Sequence, residues 1–323
     1  MSTSICAQTK VSGDFRYRLD QESERIRHRI RGRLSATGEI KNNISYGARL
    51  ISGSVNPLSG NQTIGSGFSS KPIMIDHLFT DINLSKNTII TLGKYKNRFL
   101  KSGNTELIWD EDLSLEGIHI EYSKGLFYLN LGHNWVEERA ESKDTIIQSA
   151  QIGFNYTFPG TKIDFGLSYF DYQGVQNQST LYDSSESFGN SINSSNNYIN
   201  DYDLIEAKLK MKFTLIPLVF TANYVTNEKI KSNNQAWLSS IHYHLKSNIE
   251  VAFNYRIVEI DSIIGAFSDS DFNGGITGGK GYELGLKYKF TSSYLALAYF
   301  RNQDINNSEN KYSRLFIDFG MNL

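Results

Sequence analysis

Residues 24–36, ERIRHRIRGRLSA, read at a period of two. Arg25, Arg27, Arg29, Arg31 and Arg33 fall on one face; Ile26, His28, Ile30, Gly32, Leu34 and Ala36 fall on the other. Successive side chains of a β-strand point to opposite faces, so this stretch is a ribbon with a cationic side and a mostly apolar side. Arginines two positions apart on a strand lie roughly 6.6–7 Å from each other. A dry core cannot hold a row of unpaired guanidinium groups, because their desolvation costs too much. The cationic face therefore needs water, either bulk solvent or the water inside a pore.

The same alternation recurs to the end of the chain. Phe15, Tyr17 and Leu19 oppose Asp14, Arg16 and Arg18. Ile44, Tyr46, Ala48 and Leu50 oppose Ser45, Gly47 and Arg49. Ile205, Ala207, Leu209 and Met211 oppose Glu206, Lys208, Lys210 and Lys212. Segments of this kind, bounded by turn residues, read as about sixteen strands with no credible helix.

The connections between them have a rhythm. Short ones read SKN, SKG, PGT, IP, KSN and TSS. Long polar ones cover roughly 52–73, 96–116, 136–144, 173–201, 227–233, 261–279 and 302–310. Short turns on one rim and long loops on the other are the signature of a bacterial outer-membrane barrel. An even strand count lets such a sheet close antiparallel without an edge. Aromatic residues near strand ends (Tyr46, Tyr95, Tyr156, Phe158, Phe213, Tyr288, Phe290) suit the two membrane interfaces. A soluble sandwich would alternate too, but it predicts neither the loop rhythm nor the aromatic ends. The expected fold is all-β: a single closed antiparallel transmembrane barrel over 10–323, with residues 1–9 as a leftover signal or disordered N-terminus.

Composition agrees. No run approaches the ~18–20 apolar residues of a spanning helix, while a barrel with a polar lumen has a low mean hydropathy. Lysine plus arginine is 33 and aspartate plus glutamate is 34, which argues against a nucleic-acid partner. The single cysteine, Cys6, excludes an intramolecular disulfide.

Two charged constellations stand out. Arg16, Arg18, Arg25, Arg27, Arg29, Arg31, Arg33 and Arg49 belong to three consecutive strands and should share one basic patch of lumen wall. Such a patch attracts anions. The third connection on the long-loop rim carries Glu106, Asp110, Glu111, Asp112 and Glu116. Folded into the lumen, with Ile108 and Trp109 as anchors, it would set acids opposite the arginines and create a transverse field at a constriction.

The segments SGSVNPLSGNQTIGSGFSSKPIMIDHLFTDI, ITLGKYKNRF and LIWDEDLSLEG, with the arginine-rich opening strands, resemble the "putative porin" family of Gram-negative bacteria. The likeness is clear over about the first 120 residues, and Arg98 and Leu115 stand where proline is expected. The resemblance implies passive passage of small hydrophilic solutes and ions across the outer membrane. Together with the arginine wall, it leads to an expected mild anion preference. A channel selective for a small acidic solute, such as phosphate or a carboxylate, is the alternative, and a structural or adhesive barrel with a plugged lumen is a further one. The expected partners are outer-membrane lipid, the solutes themselves and two further copies in a homotrimer, whose contact the small residues Gly32, Ala36 and Ala48 would suit.

Weaker signals point to ordinary roles. Asp269–Gly274 matches half of a calcium-binding loop, but Lys280 occupies the position of the required glutamate, so a surface loop is expected. His242 and His244 lack a third ligand nearby and read as polar lining. No serine sits in a GxSxG setting, and no enzymatic role, cofactor or metal is expected. His28, on the apolar face, has no evident role.

Overall fold

The computed structural model describes residues 9–41, 43–99 and 105–323. Cys6 and the expected N-terminal leader, up to residue 8, lie outside the described residues. The strands are β1 (Lys10–Glu22), β2 (Arg25–Lys41), β3 (Ile44–Ser52), β4 (Gln62–Thr63), β5 (Ile73–Ser85) and β6 (Thr88–Lys96). They continue as β7 (Ser114–Lys124), β8 (Phe127–Glu137), β9 (Thr145–Phe158), β10 (Thr161–Gln173), β11 (Tyr202–Phe213) and β12 (Leu218–Asn227). The last are β13 (Gln235–Lys246), β14 (Ile249–Val258), β15 (Gly279–Lys289), β16 (Ser293–Asp304) and β17 (Lys311–Asn322). Among the described residues the only helical pieces are two 3₁₀ turns, Gly265–Phe267 and Phe272–Gly274.

Sixteen strands close a barrel in which each pairs antiparallel with its neighbours, and β1 seals it by pairing with both β2 and β17. The seventeenth, β4, is a two-residue strand that pairs with β2 at Arg29 and Ile30. Closure leaves no sheet edge, which is what a bilayer demands of a β-structure.

Alternation decides which side chain meets which medium. Ile26, Leu34, Leu50, Leu78, Ile152, Leu167, Leu286 and Ile317 point outward and are exposed on the bare barrel. Tyr156, Phe158, Tyr288 and Phe290 lie exposed at the short-turn ends of β9 and β15, where an interfacial girdle belongs. Tyr95 departs from that expectation. It is fully buried inside the barrel, where its hydroxyl accepts a 2.7 Å bond from Asn134. His28 faces outward, and its Nδ1 pairs with the Tyr17 hydroxyl at 2.7 Å on the neighbouring strand.

The long-rim connections are L1 (23–24), L2 (53–72), L3 (97–113), L4 (138–144), L5 (174–201), L6 (228–234), L7 (259–278) and L8 (305–310). L1 is a two-residue turn, so the loop rhythm fails at its first step. The expected polarity of the long loops fails as well. L3, L5 and L7 bury Phe99, Leu107, Trp109, Val175, Leu181, Tyr198, Ile263, Ile264 and Phe267 in one core. This core lies against the inner faces of β6 to β14, where Tyr95, Phe170, Tyr172, Leu204, Leu238 and Val258 are part of it. One side of the barrel is thus packed, and the charged side is not.

Candidate functional site

Arg16 sits opposite Arg31 and Arg18 opposite Arg29 across the β1–β2 ladder. Like charges opposite each other are destabilising. Carboxylates on the same inward faces offset this. Asp14 accepts from Arg33 at 2.7 Å and from Arg31 at 3.5 Å. Asp318 of β17 takes Arg18 through two bonds of 2.7 and 2.9 Å, with Arg16 at 3.9 Å. Asp20, with no exposed side-chain surface, takes Arg314 at 2.9 Å, Arg27 at 2.9 Å and Arg29 at 3.2 Å. Glu22 adds a 2.7 Å pair with Arg27, and Asp76 pairs with Arg49. The bare basic wall read from eight arginines is therefore a braided network of both signs. Asp14 and Asp20 share the parity of Arg16 and Arg18, so the signal was present in the sequence. Arg314 and Asp318 come from the far end of the chain and become visible only through closure.

L3 enters the lumen. Gly93 and Gly117 face each other across β6 and β7, with φ of 115° and 148°. A Cβ on Gly117 would come 2.1 Å from the His133 carbonyl oxygen, so the ribbon beneath L3 needs glycine there. Arg98 anchors the start of the loop through Asp81, at 2.8 Å, and lies over the Phe79 ring. Trp109 packs on Phe99 and Phe170 and donates a 2.8 Å bond from Nε1 to the Tyr172 hydroxyl. Trp109 and Ile108 are both buried, as expected of anchors.

L7 meets L3 inside the barrel. The Asp110 amide donates to the Phe267 carbonyl at 2.8 Å, and the Ser270 amide donates to the Asp110 carboxylate at 3.1 Å. Glu106, Asp110 and Asp269 bring carboxylate oxygens within 4.8 Å of one another. Burial pushes the Asp110 carboxyl up, Asp269 and Asp112 push it further, and it reaches about 8. Burial also pushes Asp112 up, but Arg31, Arg16, Arg33 and Arg49 outweigh it and hold that carboxyl below the ordinary range. The Asp269–Gly274 stretch, expected on the surface, is largely interior, with Asp269, Phe272 and Asn273 buried. Asp269 pairs with Arg256 of β14 at 2.7 Å. The apolar run IIGAF just before it, Ile263–Phe267, is the sequence signal for that burial.

A luminal cavity of about 480 Å³ lies between the wall and these loops. It is lined by Arg16, Arg18, Arg31, Arg33, Arg49, Lys96 and Lys287, and by Asp14, Glu106, Asp110, Glu111, Asp112 and Asp318. Five of the eight predicted arginines and four of the five predicted acids thus share one cavity. Arg25, Arg27 and Arg29 do not line it: Arg25 is exposed at the rim, and the other two are held on Asp20. Glu116 is not a loop residue. It lies in β7, is exposed, and pairs with Lys94 at 2.5 Å, on the strand parity of the outward-facing Ile118. Nor does Asp112 face the arginines across water, since it touches Arg31 at 3.2 Å and Arg33 at 3.5 Å.

Solved structures share this architecture. The high-pH structure of Pseudomonas putida OprB matches at a TM-score of 0.66 and 9% identity, covering 98% of this chain and 94% of that one. A loop-deletion variant of OmpT, an outer membrane protein of Vibrio cholerae, matches at 0.59 and 12%, covering 98% and 99%. A triple mutant of the Rhodopseudomonas blastica porin matches at 0.57 and 11%, covering 98% and 100%. At these identities the likeness is one of fold. No curated protein matches the chain. A family model described as "Putative porin" matches residues 4–200 and 190–321. With its sixteen-stranded barrel and charged lumen, the chain belongs to that family and is a porin channel of the bacterial outer membrane.

Proposed function

We propose that this porin passes small hydrophilic solutes and ions by passive diffusion, with a mild anion preference, and that it works as a homotrimer. The observation that carries the reading is the cavity between wall and loops. Its lining is mostly charged, with seven cationic and six carboxyl side chains beside Phe15, Tyr294, Ala296 and Asn322. A water-filled passage lined by both signs admits polar solutes and excludes apolar ones. The near balance supports a mild preference rather than a strict filter, and its sign follows the cationic surplus, which the protonated Asp110 carboxyl enlarges below about 8. Outward-facing Ala36 and Ala48 are paired across β2 and β3, with Gly32 further along β2, which leaves a low surface suited to close contact with a second barrel.

Planar-bilayer recording tests the passage. Ohmic conductance with a reversal potential displaced toward the anion is expected, and Arg31→Glu with Arg33→Glu should reverse that displacement. Conductance that saturates with one carboxylate or phosphate would replace this reading with a selective channel. No conductance at all would sink both. Native mass determination in detergent checks the trimer, and a monomeric mass would remove it.

A further inference from the structure

L7 reaches the arginine wall at one point. Asp271 lies 3.1 Å from Arg314 and 3.5 Å from Arg18. These two guanidinium groups share one aromatic ring: Arg18 sits 3.8 Å and Arg314 4.6 Å from the centroid of Phe316. A ring can attract two cations, but it cannot cancel their mutual repulsion. A carboxylate bridging the pair can. The Ser270 carbonyl, next to Asp271, also accepts from Arg314 at 3.4 Å, so backbone and side chain of L7 grip the same residue.

The charges divide into two storeys. The upper one, toward the long-loop rim, holds Arg18, Arg27, Arg29 and Arg314 with Asp20, Glu22 and Asp318. Asp271 brings it to four arginines and four carboxylates. The lower one, along the cavity, holds Arg16, Arg31, Arg33, Arg49, Lys96 and Lys287 with Asp14, Glu106, Asp110, Glu111 and Asp112. We propose that Asp271 is a specificity-determining residue: it offsets Arg18 and Arg314, so that the upper storey adds no net positive charge to that of the cavity. Without it, the upper storey would carry one net positive charge, and its Arg18 lines the cavity. This inference rests on the diffusion reading and extends it from L3 to L7.

The test combines current and exchange measurements on the full-length protein. In a salt gradient across a planar bilayer, Asp271→Asn is expected to shift the reversal potential further toward the anion, a rise in the anion-to-cation permeability ratio, because one luminal negative charge is lost. Asp271→Glu should leave the ratio near that of the wild type, and adding Arg314→Gln to Asp271→Asn should largely undo the rise. Hydrogen exchange in detergent should show faster exchange of the amides of 268–271 in Asp271→Asn. A conducting wild type with an unchanged ratio in Asp271→Asn overturns the inference, as does unchanged exchange. A wild type that passes no current overturns the diffusion reading instead.

Discussion

The Asp112 carboxylate lies 3.2 Å from the Arg31 guanidinium. A loop acid and a wall arginine, 81 positions apart in sequence, therefore touch directly. This contact makes Asp112 a clamp between L3 and the wall, while Glu111 of the same loop reaches Lys96 of β6 at 4.0 Å.

Asp112→Asn should release Arg31 and Arg33 from their loop partner. A rise in anion selectivity and noisier open-channel current are expected, because one negative charge and one tether are lost together. Single-channel recording in a salt gradient measures both. Quiet current at wild-type selectivity would show that Asp112 neither tethers nor compensates.

The L3–L7 contact should weaken as pH rises. In the closed contact the Asp110 carboxyl titrates near 8, against an ordinary 3.8. A carboxyl raised in the packed state keeps its proton there and loses it when the loops separate. Packing is therefore fully favoured below the ordinary value, and the advantage shrinks by up to about tenfold in equilibrium constant per pH unit until ionisation of the packed form. Above about 8 nothing more is lost. Exchange protection of 267–270, corrected for intrinsic rates, should fall between these limits in the wild type and much less in Asp110→Asn. Equal pH dependence in the two proteins would rule out Asp110 as the group responsible.

Trp109 is the apolar anchor of L3. Trp109→Ala removes a buried indole and its bond to Tyr172, a change that typically costs about 3–5 kcal/mol. The loss should fall on loop docking while the barrel stays closed. Proteolysis within L3 of folded protein should become much faster, with the β-sheet signal of the barrel in circular dichroism retained. Loss of the barrel itself would show that L3 supports the fold.

Asp20 is the hub of the upper wall. Asp20→Ala would leave Arg314, Arg27 and Arg29 short of their shared carboxylate. Removing one partner of a buried ion pair typically costs about 3–5 kcal/mol. A lower unfolding midpoint in denaturant is expected. Arg25→Ala, at the exposed rim, should change it little, and equal effects would contradict the assigned hub.

Much of the architecture was legible in order along the chain. A strand exposes its side-chain parity residue by residue, so the lumen-facing arginines, the lipid-facing leucines and the turns between them could be read locally. The acids of L3 were legible as well, because the loop's ordinal place on its rim is a property of the strand count. Glu116 was misplaced because β7 begins at Ser114, two residues before it, and carries it out of the loop.

The sequence by itself thus determined a closed, two-faced sheet with arginines inside and an acidic third loop. Only the tertiary structure decided how those charges are spent. Closure sets β17 beside β1, bringing Asp318 onto Arg18 from 300 residues away. Folding of L7 onto L3 puts Asp271 on Arg18 and Arg314. The physical reason is the range of the two effects. Alternation is a local property of the backbone, whereas a charge in a confined lumen is governed by whichever opposite charges lie within a few ångströms, and chain order does not determine that distance.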